Sequence, residues 1–540
     1  MKKLFIFGCI AAATGLAACT NLDENLYSRI NADNFYHNRS EVLAAVTRPF
    51  THANAWAAPT GQNGYWRLSE LSADQLAWPQ KGRHGYDGGD WIRLHHHAWV
   101  PLEGTIENAW RLMYSGMGFC NNTLKDLSAQ DFTKIGMTEA EKGTLLAETK
   151  VLRAWHYLKL MDLFGKLPVS TEPNVNFNPV SQERPEVFAF IEKEILDNYD
   201  SLEVLRPEMV GRVTKATALS MLAEMYINAE VWTGTKRYDD CIAVCNRIIA
   251  GEGGALSGSA PKLEADIYKP FNNTNHLSTE NLFQIAYDLR AGDFNFGWNG
   301  DFWHYRQRQI YNVDRDGNNG IVVIPTAYDA FEDKDLRKTG WMLIGPQLNK
   351  ATGAPVQGTE EYNGKPLVFV KEIRRNSEGE TGEGGMTRGE ENSGARFAKY
   401  VPGDVTDEVN YWGNDFVLYR LADIYLWKAE AIMRNNGNTA NAEAVTLVND
   451  VRKRAFAVED WATEAYDAGT LTLDELLAER GREFIFEGKR RQDLIRFGKF
   501  TTNTWWDHPA STDAKWNLFP IPQNQRALNP NLGQNTGYGQ

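Results

Sequence analysis

The chain has 540 residues, a formal net charge of −13 and 12 % aromatic side chains, 17 of them Trp. That length can bury a large core, while the acidic balance argues against nucleic acid and polyanionic polysaccharides as partners and favours neutral ligands. So many rings in a polar background, at a mean hydropathy of −0.47, imply that some serve at the surface.

From the start of the chain, Lys2 and Lys3 form a basic n-region, Leu4 to Gly15 an apolar h-region too short to span a bilayer, and Leu16-Ala17-Ala18-Cys19 a lipobox. Residues 1–18 are therefore expected to be a lipoprotein signal peptide and Cys19 the lipidation site. Several acyl chains, each contributing about 0.8 kcal/mol per buried methylene, anchor a protein durably where one does not. No later run approaches the length of a transmembrane helix. With Cys9 removed and Cys19 lipidated, Cys120, Cys241 and Cys245 remain, and they read as buried thiols rather than metal ligands.

After a short tether, a helix is expected from about Ser40, with Asn38 or Ser40 as its cap. Residues 56–101 have little helical period and many Gly, Trp and His, so they form a loop layer. The helical period returns at Trp110, and Leu145, Leu152, Trp155, Leu158, Met161 and Leu163 give a broad apolar face that Gly165 and Pro168 terminate. Phe188 to Leu202, Thr214 to Val231 and Tyr238 to Ala250 continue the series. Helix pairs recurring about every 35 to 45 residues predict an all-α, tetratricopeptide-like helix-pair scaffold. The N-terminal helical region thus covers 19–250, a loop-rich middle region 251–415 and a C-terminal region 416–540.

In the C-terminal region Leu418, Leu421, Tyr425, Ala429 and Ile432 fall on one stripe of a helix ending at Gly437. Ala444, Leu447, Val448, Val451 and Ala455 make a second, and Leu473, Leu476, Leu477 and Phe484 a third. The third carries Glu479, Arg480, Arg482, Glu483, Glu487, Lys489, Arg490, Arg491, Asp493 and Arg496. Glu487 with Arg491, and Asp493 with Arg496, are spaced for pairs on a solvated or subunit-packing face.

RLADIYLWKAEA, VNDVRKRA and ERGREFIFEGKRRQDLIRFG resemble the C-terminal signature of the SusD/RagB family, nutrient-binding lipoproteins of Bacteroidetes, and LFPIPQNQRALNPNLGQNTGY resembles the end of that family's chain. The resemblance implies a tetratricopeptide-like fold, a lipid anchor in the outer membrane with surface exposure, and a SusC-like TonB-dependent transporter as partner, with the charged third helix and the tether as contact surfaces. Asp23 and Glu24 resemble the acidic signal that carries such lipoproteins to the surface.

Two stretches carry the chemistry of sugar recognition. Trp78, Tyr86, Trp91 and Trp99 lie among Asp74, Gln75, Gln80, Asp87 and Asp90. A ring stacks on the C–H face of a pyranose while amides and carboxylates take its hydroxyls, and about 100 Å² of buried sugar face is worth roughly 2.5 kcal/mol. The second stretch holds Phe294, Phe296, Trp298, Asp301, Trp303, Tyr305, Arg306 and Arg308, with Gly297 and Gly300 breaking the helix. The family resemblance implies a glycan platform assembled from two such loops, with Trp78, Trp298, Trp303, Tyr86, Trp91 and Asp74 as its residues. The alternative for each ring is the core of the loop layer.

Other motifs are weaker. Adjacent His95, His96 and His97 diverge in a loop and suit packing or hydrogen bonding better than a metal. Asp314, Asp316 and Asn318 alternate like calcium ligands, but Asn319 stands at the Gly position and Pro325 at the Glu position of an EF-hand, leaving a turn. No GxSxG, HExxH or phosphate loop is present, so no catalytic residue, metal or cofactor is expected. The expected function is non-enzymatic capture of a neutral carbohydrate. The alternatives are a RagB-like peptide receptor and a glycoside hydrolase, the latter requiring two carboxyls about 5 to 9 Å apart.

Overall fold

The computed structural model describes residues 36–59, 64–82, 84–173, 178–287, 298–313, 317–402 and 413–539, with only the backbone at Trp298 and Asn299. Cys19, Asp23 and Glu24, Phe294 and Phe296, and Asp314 and Asp316 lie outside the described residues.

The frame is a stack of antiparallel helices. Arg39–Ala57 is capped by Asn38, whose side chain accepts from the Glu41 N–H, and it packs on Gly104–Ala129, which packs on Glu139–Phe164. Thr138 and Glu141 close a capping box on that third helix, and Gly165 at φ 74° ends it. Arg184–Asn198, Lys215–Thr233 and Tyr238–Ile249 follow in turn. Cys120, Cys241 and Cys245 are buried free thiols, as their spacing suggested. Among the described residues, no helix is long and apolar enough to cross a membrane.

The stack does not stop where the N-terminal region ends. Leu421–Asn435 packs on Tyr238–Ile249, and Ala442–Arg452 packs on Leu421–Asn435, so the C-terminal helices continue the same pile while residues 250–415 loop away and return. A two-stranded antiparallel ribbon closes that excursion, Asn281–Ile285 against Phe416–Arg420. This corrects the single helix expected from Leu418: Phe416, Val417, Tyr419 and Arg420 are buried on a strand, and the helix begins only at Leu421. A buried strand and a buried helix segment both appear as apolar runs, and the partner strand 131 or more residues earlier makes the difference.

The third C-terminal helix is corrected more deeply. It is two helices, Leu473–Phe484 and Arg490–Arg496, broken at Phe486 (φ 74°) and Gly488 (φ 77°). Its charges face inward. Arg420 donates to Glu280 (2.8 Å), Glu483 (2.7 Å) and Glu487 (2.8 Å); Arg337 to Asp335, Glu479 and Glu483 (2.8 Å each); Lys399 to Glu487 (2.6 Å). All are fully buried, so the set is held by mutual pairing, since any one charge left alone there would be strongly destabilising. Asp493 and Arg496 do pair, at 2.6 Å. Glu487 and Arg491 do not: Arg491 turns to Asp162 at 3.1 Å. With Arg491 buried in this way, the expected contact surface for a transporter is instead an internal ion network joining the middle region to the helix stack.

Candidate loop site

Leu76–Ala77 pairs antiparallel with Val322–Val323, which brings the two aromatic loops side by side. The Ile324 N–H bond to the Gln75 carbonyl (3.0 Å) extends the seam, and two bonds within the second segment, Ile321 N–H to the Asp301 carbonyl and Asn319 N–H to the Trp303 carbonyl (2.7 Å each), hold Asp301 and Trp303 beside it.

Trp78 and Trp91 stack face to face, their ring centroids 4.8 Å apart and their planes 3° from parallel. The Arg67 guanidinium lies 5.3 Å and 5.4 Å from the two rings and pairs with Asp301 of the second loop. Burial raises the Asp301 pKa and lowers that of Arg67, so desolvation exceeds their attraction on both sides. The Trp91 indole N–H donates to Asp87 Oδ2 at 2.6 Å. The stack is therefore a strut within the first loop, tied to the second by the Arg67–Asp301 pair. Trp78 is 9 % and Trp91 4 % exposed, which leaves little ring face open to a ligand.

Tyr86 is 54 % exposed, and every other strongly exposed large apolar side chain among the described residues is aliphatic. Asp87 and Asp90 flank it near the surface. His84 and Tyr305, one from each loop, meet at 5.1 Å. Asp87 accepts from Trp91 and Asp90 from Arg93, both at 2.6 Å, so Tyr86 is the exposed apolar face of this loop.

Of the remaining expected residues, Trp303 is fully buried and stacks on Tyr311 at 5.0 Å, which makes it core of the loop layer. Asp74 is taken by Arg490. Trp298 opens a short helix, Trp298–Phe302, next to the seam, and its side chain lies outside the described residues. The histidines diverge as expected. His95 bonds the Trp506 carbonyl and His97 the Ser72 carbonyl, both at 2.9 Å, and His96 faces Asp507 at 3.3 Å. Burial pushes His95 and His97 down to about 3. Among the described residues no group of His, Cys, Asp and Glu is arranged to hold a metal.

Lys81, Asn319 and Gly320 escaped the sequence reading. The buried Lys81 ammonium donates to the Asn319 carbonyl (2.6 Å) and to that of Gly320, and burial beside Arg396 lowers its pKa well below the lysine range. Arg396 in turn donates to Asn319 Oδ1 at 2.5 Å and the Glu391 carbonyl at 2.7 Å. Asn319 adopts φ 57°, and Gly320 lies so close to Trp78 that an added Cβ would sit 2.8 Å from its ring. A lone Lys in a Gly-rich turn has no periodic signal; only the DGNNG turn hinted at a special backbone.

Two family models match the chain: "SusD family" over residues 279–538, and "Starch-binding associating with outer membrane" over residues 21–227. The chain belongs to the SusD/RagB family. It is 27 % identical to the starch-binding protein SusD of Bacteroides thetaiotaomicron over 523 residues, spanning 88 % of this chain and 86 % of that one. Among solved structures, surface glycan-binding protein A from Bacteroides thetaiotaomicron superposes with a TM-score of 0.69 at 21 % identity, covering 93 % of this chain and all of that one. The same protein in complex with laminarihexaose gives 0.68, at 21 % identity over 92 % and 99 % of the two chains, and NanU from B. fragilis gives 0.72, at 18 % identity over 95 % and 100 %. These likenesses settle the helical, tetratricopeptide-like fold, and the family's named members are binding proteins rather than enzymes.

Proposed function

We propose that this SusD-family protein captures an oligo- or polysaccharide at the cell surface and delivers it to a SusC-like TonB-dependent transporter, tethered to the outer membrane through a lipidated Cys19. The observation that carries the reading is an exposed ring, Tyr86, on a braced loop: Trp78 stacks on Trp91, and Arg67 pairs with Asp301 of the second loop. A rigid support of this kind lowers the ordering cost of stacking a sugar, so modest contact area is enough for weak, multivalent capture. The relatives named for starch and laminarihexaose point to the same ligand class.

Isothermal titration of the chain lacking residues 1–19 against neutral plant, fungal and bacterial glycans tests it, with Tyr86→Ala and Trp298→Ala alongside. Micromolar to millimolar binding to one glycan, weakened in both variants, would identify ligand and platform together. Binding unchanged by both substitutions would place the ligand elsewhere, and silence across the panel would favour a peptide. Reducing ends released from the bound glycan would revive the hydrolase reading.

A further inference from the structure

Where the helix stack meets the C-terminal region, a cavity of about 30 Å³ is lined by residues from eight elements, among them the following. Trp56 comes from Arg39–Ala57, Trp155 and Lys159 from Glu139–Phe164, Glu224 from Lys215–Thr233, Tyr419 from the strand, Trp427 from Leu421–Asn435 and Arg480 from Leu473–Phe484. Four hydrogen-bond donors on these walls find no acceptor among the described residues: the indole N–H of Trp56, Trp155 and Trp427, and Nη1 of Arg480. Each of these side chains is at most 2 % exposed. Trp155 leans towards the Tyr419 hydroxyl without closing a hydrogen bond. Buried donors left unmet cost about 1–3 kcal/mol apiece, so four around one cavity call for an occupant.

The wall is uneven in a way that selects the occupant. Its acceptors are already engaged: Glu224 accepts from Lys159 (2.5 Å), Gln492 (2.8 Å) and Tyr419, and Glu487 from Lys399 (2.6 Å) and Arg420 (2.8 and 3.0 Å). A water that accepts from two of the donors must still place two protons of its own, and these carboxylates have little capacity left. A halide accepts from all sides and donates nothing. The cations on the wall are already paired, Lys159 with Glu224, Arg480 with Asp493 and Lys489 with Asp423, so the anion would be held by the unmet N–H donors rather than by net charge. The space exceeds the roughly 10–15 Å³ that one water requires and fits a single ion of chloride size.

We propose that this cavity binds one small monovalent anion, chloride in ordinary buffers, coordinated by the Trp56 and Trp427 indoles and the Arg480 guanidinium. The ion would pin the N-terminal stack to the C-terminal helices, independently of any glycan. Crystals of the chain grown in sodium bromide test it: collected at the bromine edge, they should give an anomalous peak among Trp56, Trp427 and Arg480. Ordered water density there without anomalous signal would overturn the proposal. In parallel, thermal unfolding in chloride should exceed that in gluconate at equal ionic strength by about 3 °C, and Trp427→Phe, which keeps the ring and removes the donor, should abolish the difference. A variant that is merely less stable but keeps its chloride dependence would also count against the site.

Discussion

Asp74 and Arg490, 416 residues apart, form a two-pronged ion pair: Nε to Oδ1 at 2.6 Å and Nη2 to Oδ2 at 2.9 Å. Arg490 opens the helix Arg490–Arg496, and Asp74 lies just before the seam strand of the loop site. The pair therefore anchors the loop layer to the helix stack. Arg490→Ala would leave Asp74 part-buried without its partner, and a loss of about 2 kcal/mol in denaturant unfolding is expected. Arg490→Lys should recover only part of it, because an ammonium cannot reproduce the fork. A variant as stable as the parent would show that the pair is too solvated to matter.

Stability should depend on pH in two stages. Burial holds His95 and His97 at about 3 and His156, His304 and His508 at about 4, so from pH 6.5 downward the unfolded chain takes up protons that the folded one refuses. Burial lifts Glu70, Glu148 and Asp415 to about 7, which works the other way between pH 4.5 and 7. Among the large shifts, five groups against three leave stability falling as the pH drops below 6.5. Below 4.5 a second loss begins. Burial would raise Glu479 and Glu487, but the surrounding Arg and Lys outweigh it and hold both at about 2; the stability from their pairing is present above pH 4.5 and disappears towards 2. Melting temperatures measured from pH 3 to 8 should peak near neutrality and fall most steeply below 4.5; a maximum near pH 4 would contradict the assignment.

Much of the helix stack was legible because its helices carry local evidence: the cap at Asn38, the broad apolar face from Leu145 to Leu163, the glycine at 165 that ends it. What was not legible is decided between distant segments. The alternating charges of residues 479–496 have the same spacing whether they face water or one another, and only Glu280, Arg337, Lys399 and Arg420, brought from elsewhere in the chain, turn them into an interior network. The loop site divides likewise. Composition marked both aromatic loops, but spacing does not reveal that Trp78 and Trp91 spend their faces on each other, that Asp74 is claimed by Arg490, or that Trp303 is core.

Gly320 tests whether the seam is as tight as it looks. A Cβ there would lie 2.4 Å from the Asp301 carbonyl oxygen and 2.8 Å from the Trp78 ring, too close without backbone movement. Gly320→Ala should destabilise the protein by roughly 1–3 kcal/mol, the cost of overpacking, and shift the Trp fluorescence of the folded state as the strut is displaced. Lys81→Met, which removes the ammonium from the Asn319 and Gly320 carbonyls but keeps the stem, should loosen the same turn. Hydrogen exchange at Ile321, whose N–H bonds Asp301, reports this directly; protection unchanged in both variants would mean the turn is held by other contacts.

Tyr86 and Trp303 separate recognition from support. Trp303 is fully enclosed and stacked on Tyr311, so Trp303→Ala should cost about 3–5 kcal/mol of stability through the cavity it leaves. Tyr86 is more than half exposed, and Tyr86→Ala should change stability by no more than about 0.5 kcal/mol. Its effect belongs to the ligand: removing one sugar platform should weaken the glycan found by titration about tenfold or more. The opposite pattern, a stable Trp303→Ala protein with lost binding beside a Tyr86→Ala protein that binds normally, would move the platform to the inner ring. It would also require the loop layer to open before it binds, because no face of Trp303 is accessible in the closed arrangement.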